Sequence, residues 1–121
     1  MVTLSDIQAA DRRIAPHILR TPATQVPAPG GEFQGQVWLK WESHQHTGSF
    51  KLRGALNRLL ADPGVEDDVI AASAGNHGQG VAVAARLCGR RAIIYVPEHA
   101  PRTKINAMRK LGAVVHLVPG G

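Results

Sequence analysis

Residues 69–97 read VIAASAGNHGQGVAVAARLCGRRAIIYVP, and this stretch decides the fold. Val69-Ile70-Ala71-Ala72 is a short apolar run with the character of a buried strand. Ser73 to Gly80 is rich in glycine, and Val81 to Cys88 is an Ala/Val-rich helical segment. Gly89 follows where a left-handed residue ends a helix. Ala92-Ile93-Ile94-Tyr95-Val96 is a second apolar strand. Further on, Thr103 to Leu111 reads as a helix ended by Gly112, and Val114-Val115-His116-Leu117-Val118 as a third strand. Strand, helix, strand, helix, strand, with short connections and continuous apolar strands, predicts an α/β fold with a parallel, doubly wound sheet. Three strands and two crossovers make an unfinished sheet. The fold is therefore expected to be incomplete at the C-terminus, where the chain stops at Pro119-Gly120-Gly121.

Working upstream, Asp62-Pro63-Gly64 closes a helix predicted from Ser49 to Leu60, with Leu52, Ala55, Leu56 and Leu59 as its apolar face. A polar turn from Ser43 to Gly48 precedes it, and Val37 to Glu42 is a strand candidate in which Trp38 and Trp41 have opposite parity, one for the core and one for an edge. Pro22, Pro27, Pro29, Gly30, Gly31 and Gly35 mark loop or edge structure. Ser5-Asp6-Ile7-Gln8 reads as a capping box opening a helix over about residues 6–15, with Ile7, Ala10 and Ile14 as its buried stripe. Pro16 and then Thr21-Pro22 end it.

The 121 residues suit one compact domain, and with aromatics at only 4% the core must be built from Ala, Val, Leu and Ile. The net charge of +5 invites a nucleic-acid reading, but seven Lys/Arg fall in residues 1–60 and seven in 61–121, with no basic run longer than two. Such scatter argues against a nucleic-acid partner. No apolar run is long enough for a membrane span or resembles a signal peptide. Cys88 is the sole cysteine, which rules out an intrachain disulfide and fits a cytoplasmic location, and its place at a helix end reads as packing. His44 and His46 alternate but have no carboxylate or cysteine at ligand spacing, so no metal site is expected.

Two segments carry chemistry. Thr47-Gly48-Ser49-Phe50-Lys51-Leu52-Arg53-Gly54-Ala55 places a lysine in the first turn of a helix, behind a glycine turn. The dipole there disfavours protonation of an amine, which suits a lysine that must act uncharged as a nucleophile. Spacing alone favours an ordinary solvated surface lysine, which is what most lysines are. Ser73-Ala74-Gly75-Asn76-His77-Gly78-Gln79-Gly80 lies between a strand and a helix. Its glycines let backbone approach a ligand, and the free amides of a helix start suit an anion. The order is Gly-x-x-Gly-x-Gly rather than Gly-x-Gly-x-x-Gly, and the nearest acidic residue downstream, Glu98, lies past Pro97 in a turn. This favours an anion over a dinucleotide. A turn chosen only for tight helix–strand packing is the other reading.

Together the two segments resemble the pyridoxal-phosphate (PLP) enzymes of the tryptophan-synthase-like fold type. Thr47-Gly48-Ser49-Phe50-Lys51 with Arg53-Gly54-Ala55 is similar to that family's cofactor-lysine motif, and Ser73 to Gly80 to its asparagine loop in the threonine/serine dehydratase version. Arg20-Thr21-Pro22, Lys40 with Glu42, and the run from Pro97 through Lys104 to Gly112-Ala113 match the flanks, so the resemblance spans about residue 4 to residue 118. It implies residues 1–71 as the N-terminal part of the large PLP domain, with the cofactor lysine, and residues 72–121 as the start of the small α/β domain, with the asparagine loop.

The resemblance also implies roles. Lys51 is the residue that holds PLP covalently and, once released, abstracts the substrate Cα proton. Phe50 packs against the cofactor, and Asn76 hydrogen-bonds the ring hydroxyl O3′. Ser73, Gly75, Asn76 and His77 hold the substrate carboxylate. The activity implied is β-elimination of water from a hydroxy amino acid such as L-threonine or L-serine, giving a 2-oxo acid and ammonia. The substrate is a small amino acid, and the full-length protein is a homo-oligomer. Relatives resembling serine racemase carry a second serine where this chain has Ala74, and that serine is the acid/base on the opposite face of the cofactor. Ala74 has no proton to give, which favours elimination over racemisation. The phosphate-binding glycine loop of such enzymes lies well downstream of these motifs. A catalytically silent fragment, another enzyme of the fold type such as a serine racemase, and an anion- or nucleotide-binding α/β module are the competing expectations.

Overall fold

A computed structural model describes residues 1–28, 30, 35–62 and 67–120. Helix α1 spans Leu4–Ile14 and is opened by Thr3. The Thr3 hydroxyl accepts from the Asp6 amide at 3.3 Å, and the Asp6 carboxylate accepts from the Thr3 amide at 2.8 Å. The capping box thus starts two residues before the expected Ser5. Thr3 and Asp6 have the same spacing as Ser5 and Gln8, and an ionised aspartate is a stronger acceptor that also complements the helix dipole. Of the expected apolar stripe only Ile14 is buried, while Ile7 is 58% exposed.

Strands β1 (Ala23–Val26) and β2 (Val37–Lys40) form an antiparallel pair, with Ala23 opposite Lys40 and Val26 opposite Val37. The second strand ends two residues earlier than expected, because the chain turns at Trp41 into a short 3₁₀ segment, Glu42–His44. Trp38 and Trp41 are both exposed, so neither supplies the core. The expected loop residues Pro29 and Gly31, the turn residues Pro63 and Gly64, and Gly121 lie outside the described residues.

Helices α2 (Lys51–Leu60), α3 (Asn76–Leu87) and α4 (Arg102–Lys110) and strands β3 (Val69–Ala72), β4 (Ala92–Pro97) and β5 (Val114–Val118) complete the chain. The three strands are parallel and lie in the order β3-β4-β5, with Ile70 beside Ile93 and Ile93 beside Val114. Alternation sorts their side chains. Ala92, Ile94 and Val96 are buried against Val81, Ala82 and Ala85 of α3 and Ile105 and Met108 of α4. Ile70, the out-facing partner of Ile93, stays 66% exposed, so β3 is covered on one face only among the described residues.

The centre of the molecule is α3. Its middle, Gly80 to Ala85, is small, apolar and buried on every side, while Asn76 and His77 at its start and Arg86 near its end reach solvent. One side meets the sheet, and the other presents Val83 and Ala84 to Leu52 and Leu56 of α2 and Ile14 of α1. Small side chains on α3 let both neighbours come close. The boundary expected between residues 71 and 72 falls inside β3, and α2 packs on α3 across it.

Candidate functional site

The lysine-bearing turn is held from behind. The Glu42 carboxylate accepts from Arg53 through Nε at 2.8 Å and Nη2 at 2.7 Å, and from the Thr21 hydroxyl at 2.5 Å. Lys40 Nζ stands 4.0 Å away and donates to the Thr21 carbonyl at 3.0 Å. The hydrogen bonds from Arg53, against a cost of burial, hold the Glu42 carboxyl down at about 2. Three residues on, buried Gln45 pairs with the backbone of Leu19, accepting from its amide and donating to its carbonyl, both at 3.0 Å. Gly48 then takes φ +65°, a left-handed conformation that a side chain would strain, with its amide on the Gln45 carbonyl at 2.7 Å. The chain is thereby delivered to Lys51, the first residue of α2, with Arg53 tying the new helix back to Glu42. Phe50 is 60% exposed, and the Lys51 amine lies 5.2 Å from its ring centre.

The glycine-rich segment is organised differently. The Ser73 amide donates to the Tyr95 carbonyl at 3.0 Å, anchoring the turn to β4. The Ser73 hydroxyl accepts from the amides of Gly75 at 3.2 Å and Gly78 at 2.9 Å, and so acts as an N-terminal cap for α3 from within the loop. Asn76 and His77 occupy the first turn of α3, both exposed. The orphan backbone amides of that turn are the donors to be expected of an anion site. From α4, Lys104 Nζ donates to Asn76 Oδ1 at 2.8 Å.

The three glycines have separate tasks. A methyl group at Gly75 would meet nothing within 4 Å, so backbone there is open to a ligand. One at Gly78 would lie 2.5 Å from Met108 Sδ and 3.3 Å from Ser73 Cβ. One at Gly80 would lie 3.0 Å from the Lys51 carbonyl carbon and 3.1 Å from the Leu52 amide. Gly78 and Gly80 therefore serve close helix packing, and Gly80 brings the asparagine segment against the backbone of Lys51. Two segments that lie apart in sequence thus open helices that pack directly on one another.

Ser73, Gly75, Asn76 and His77 gather at one turn, and Gly80 sets that helix against the backbone of Lys51 and Leu52. Sequence reasoning missed Gln45, the Glu42–Arg53 pair, the lysine on Asn76 and the packing task of Gly80. Glu42, Thr21, Lys40 and Lys104 carried a signal only as flanks of the resemblance, without a role. Burial raises the Cys88 thiol above its ordinary range, in keeping with packing rather than reactivity. A cavity of about 490 Å³ beneath the ion pair is lined by Asp11, Ala15, Ile18, Arg20, Lys40 and Arg53, away from the lysine and the asparagine.

The residues present suit PLP and its substrate. An exposed amine sits at a helix start, and the Ser49 hydroxyl, two residues earlier, is buried without a hydrogen-bond partner. An unobstructed glycine backbone and helix-start amides lie on the neighbouring helix.

Comparison with known proteins agrees. The family model of the pyridoxal-phosphate dependent enzyme matches residues 14–121. The chain is 44% identical over 119 residues to an L-threonine ammonia-lyase of Thermotoga maritima, covering 97% of this chain and 30% of that protein. It is 47% identical over 120 residues to the catabolic L-threonine dehydratase TdcB of Staphylococcus aureus (strain USA300), covering 97% and 35%. The chain spans about a third of the length of these relatives. Among solved structures, a PLP-dependent aspartate racemase superposes with a TM-score of 0.87 at 39% identity, covering 98% of this chain and 38% of that one. A threonine deaminase from T.th. superposes at 0.81 and 43%, covering 95% and 36%. The parallel α/β core has the tryptophan-synthase-like fold of these enzymes. This chain belongs to the pyridoxal-phosphate dependent enzymes.

Proposed function

We propose that the protein carrying this chain deaminates a hydroxy amino acid of the L-threonine or L-serine type to a 2-oxo acid and ammonia, with Lys51 as the residue that holds PLP. The observation that supports this reading is the close approach of Gly80 to the Lys51 backbone, which packs the helix begun by the Ser73–Gly80 turn against the helix begun by Lys51. PLP, when bound, supplies the electron sink that lets the substrate Cα–H bond break. The chain's own residues do the rest. The Lys51 amine takes the Cα proton. The Asn76 side chain donates to the ring hydroxyl oxygen, and Phe50 offers an exposed aromatic face to the ring. The amides and side chains of Ser73, Gly75, Asn76 and His77 hold the substrate carboxylate, orienting Cα toward Lys51. The same reading makes the protein a cytoplasmic homo-oligomer that acts on a small amino acid. Among the described residues no helix is long and apolar enough to cross a membrane.

A second reading, racemisation, is favoured by the superposition on aspartate racemase and on maize serine racemase, the latter at a TM-score of 0.85 and 30% identity. Ala74 weighs against it. Racemisation needs a proton donor on each face of the cofactor, and an alanine supplies none. L-serine offered to the intact protein should yield pyruvate with negligible D-serine; racemisation matching elimination would favour the second reading. Borohydride reduction followed by peptide mapping should place the PLP label on Lys51, and a label on Lys40 or Lys104 would overturn the assignment.

A further inference from the structure

We propose that Lys104 is a positioning residue that fixes which end of the Asn76 side chain faces the ligand. The inference rests on the reading of Asn76 as the contact to the cofactor ring. An asparagine amide is nearly symmetrical in shape, with an acceptor oxygen at one end and a donor nitrogen at the other, so its neighbours choose its orientation. A lysine ammonium is a donor only. With Nζ of Lys104 at 2.8 Å, Oδ1 of Asn76 is committed to α4, and Nδ2 with its two hydrogens is left for a ligand. The site therefore presents a donor, and its partner must be an acceptor such as a phenolic oxygen. The ammonium, one amide group removed, favours that oxygen in its anionic form.

The position of Lys104 on its own helix points the same way. Arg102 and Lys104 lie in the first turn of α4, which holds no acidic residue. Cations are unfavourable there because the helix dipole already places positive charge at that end. The lysine thus works against its own helix while gaining a hydrogen bond to another. Met108, one turn further along α4, packs tightly on Gly78 of α3, so the two helix starts are held in register and the lysine reaches Asn76 without displacing either.

The test compares Lys104→Met, Lys104→Arg, Asn76→Ala and the Lys104→Met/Asn76→Ala double variant in the intact protein. PLP affinity and the pH dependence of the bound cofactor's absorbance are measured for each. Losing a hydrogen bond to a charged group should weaken PLP binding about tenfold in Lys104→Met. The absorbance transition should move to higher pH, and Lys104→Arg should restore both. A lysine that merely steadied α4 would leave the absorbance transition where it was. In the Asn76→Ala background Lys104→Met should add nothing. Wild-type affinity and spectrum in Lys104→Met beside a weakened Asn76→Ala would overturn the inference alone, as would independent, multiplying effects in the double variant. Wild-type PLP binding by Asn76→Ala would overturn the ring-contact reading, and the inference with it.

Discussion

The turn before Lys51 and the turn before Asn76 both deliver a functional residue to a helix start, but they are held by opposite means. The first is fixed by side chains from far along the chain: Thr21 and Arg53 on Glu42, and the Leu19 backbone on Gln45. The second holds itself through the Ser73 hydroxyl, with outside hydrogen bonds at the Tyr95 carbonyl and from Lys104. The reacting role proposed for the Lys51 amine would require a fixed origin, and its turn spends its polar groups on the protein. The carboxylate role proposed for the second turn would require amides kept unspent, and it is braced by one hydroxyl and by its neighbour helix.

If the Gly80 contact is what joins the two turns, breaking it should have the largest effect. Gly80→Ala puts a methyl group about 3 Å from unyielding backbone of Lys51 and Leu52. We expect a loss of about 3 kcal/mol in chemical denaturation, at the upper end for overpacking. Lys51 should also be labelled poorly by PLP and borohydride. Gly54→Ala is the control, because a methyl there meets nothing within 4 Å. In the middle of α2 that change should add up to about 1 kcal/mol of stability. A Gly80→Ala protein as stable and as readily labelled as wild type would disprove the close-packing role.

The charge clamp comes next. Glu42→Gln removes the ionised acceptor of Arg53 and should cost about 2 kcal/mol, allowing for partial solvent access. Because the folded carboxyl sits at about 2 against an ordinary 4.5, its contribution is complete above pH 4.5 and is lost as pH falls from there toward 2. The acid limb of a stability–pH curve should therefore be shallower in Glu42→Gln than in wild type. Parallel acid limbs would show that the clamp does not depend on ionisation.

Ser73→Ala should show the smallest effect. It removes the acceptor of the Gly75 and Gly78 amides and should cost about 1 kcal/mol, the usual value of a lost cap. The damage should stay local, with faster hydrogen exchange at residues 75–78 and unchanged exchange at 51–56. Equal loosening of both turns would mean that the two are not held independently.

The alternation of helix and strand from Val69 to Val118 was legible in the sequence because apolar periodicity and glycine stops are local properties of a chain. For the same reason Lys51 was read at a helix start and Ser73 to Gly80 as the passage from a strand into a helix. The element ends that shifted, at Thr3 and Lys40, shifted where two local solutions were nearly equivalent. Periodicity could not show that Ile70 and both tryptophans stay exposed, since it ranks faces without saying what covers them. Nor could it show that Gly80 serves helix packing rather than a ligand, that Glu42 closes on Arg53, or that Lys104 reaches Asn76. Each of those pairings joins residues 11 to 29 positions apart. The Glu42 pair is set by how the 3₁₀ segment folds back on α2, and the other two by the distance and rotation at which α2, α3 and α4 pack, a geometry that follows from the small Ala, Val and Gly side chains between the helices.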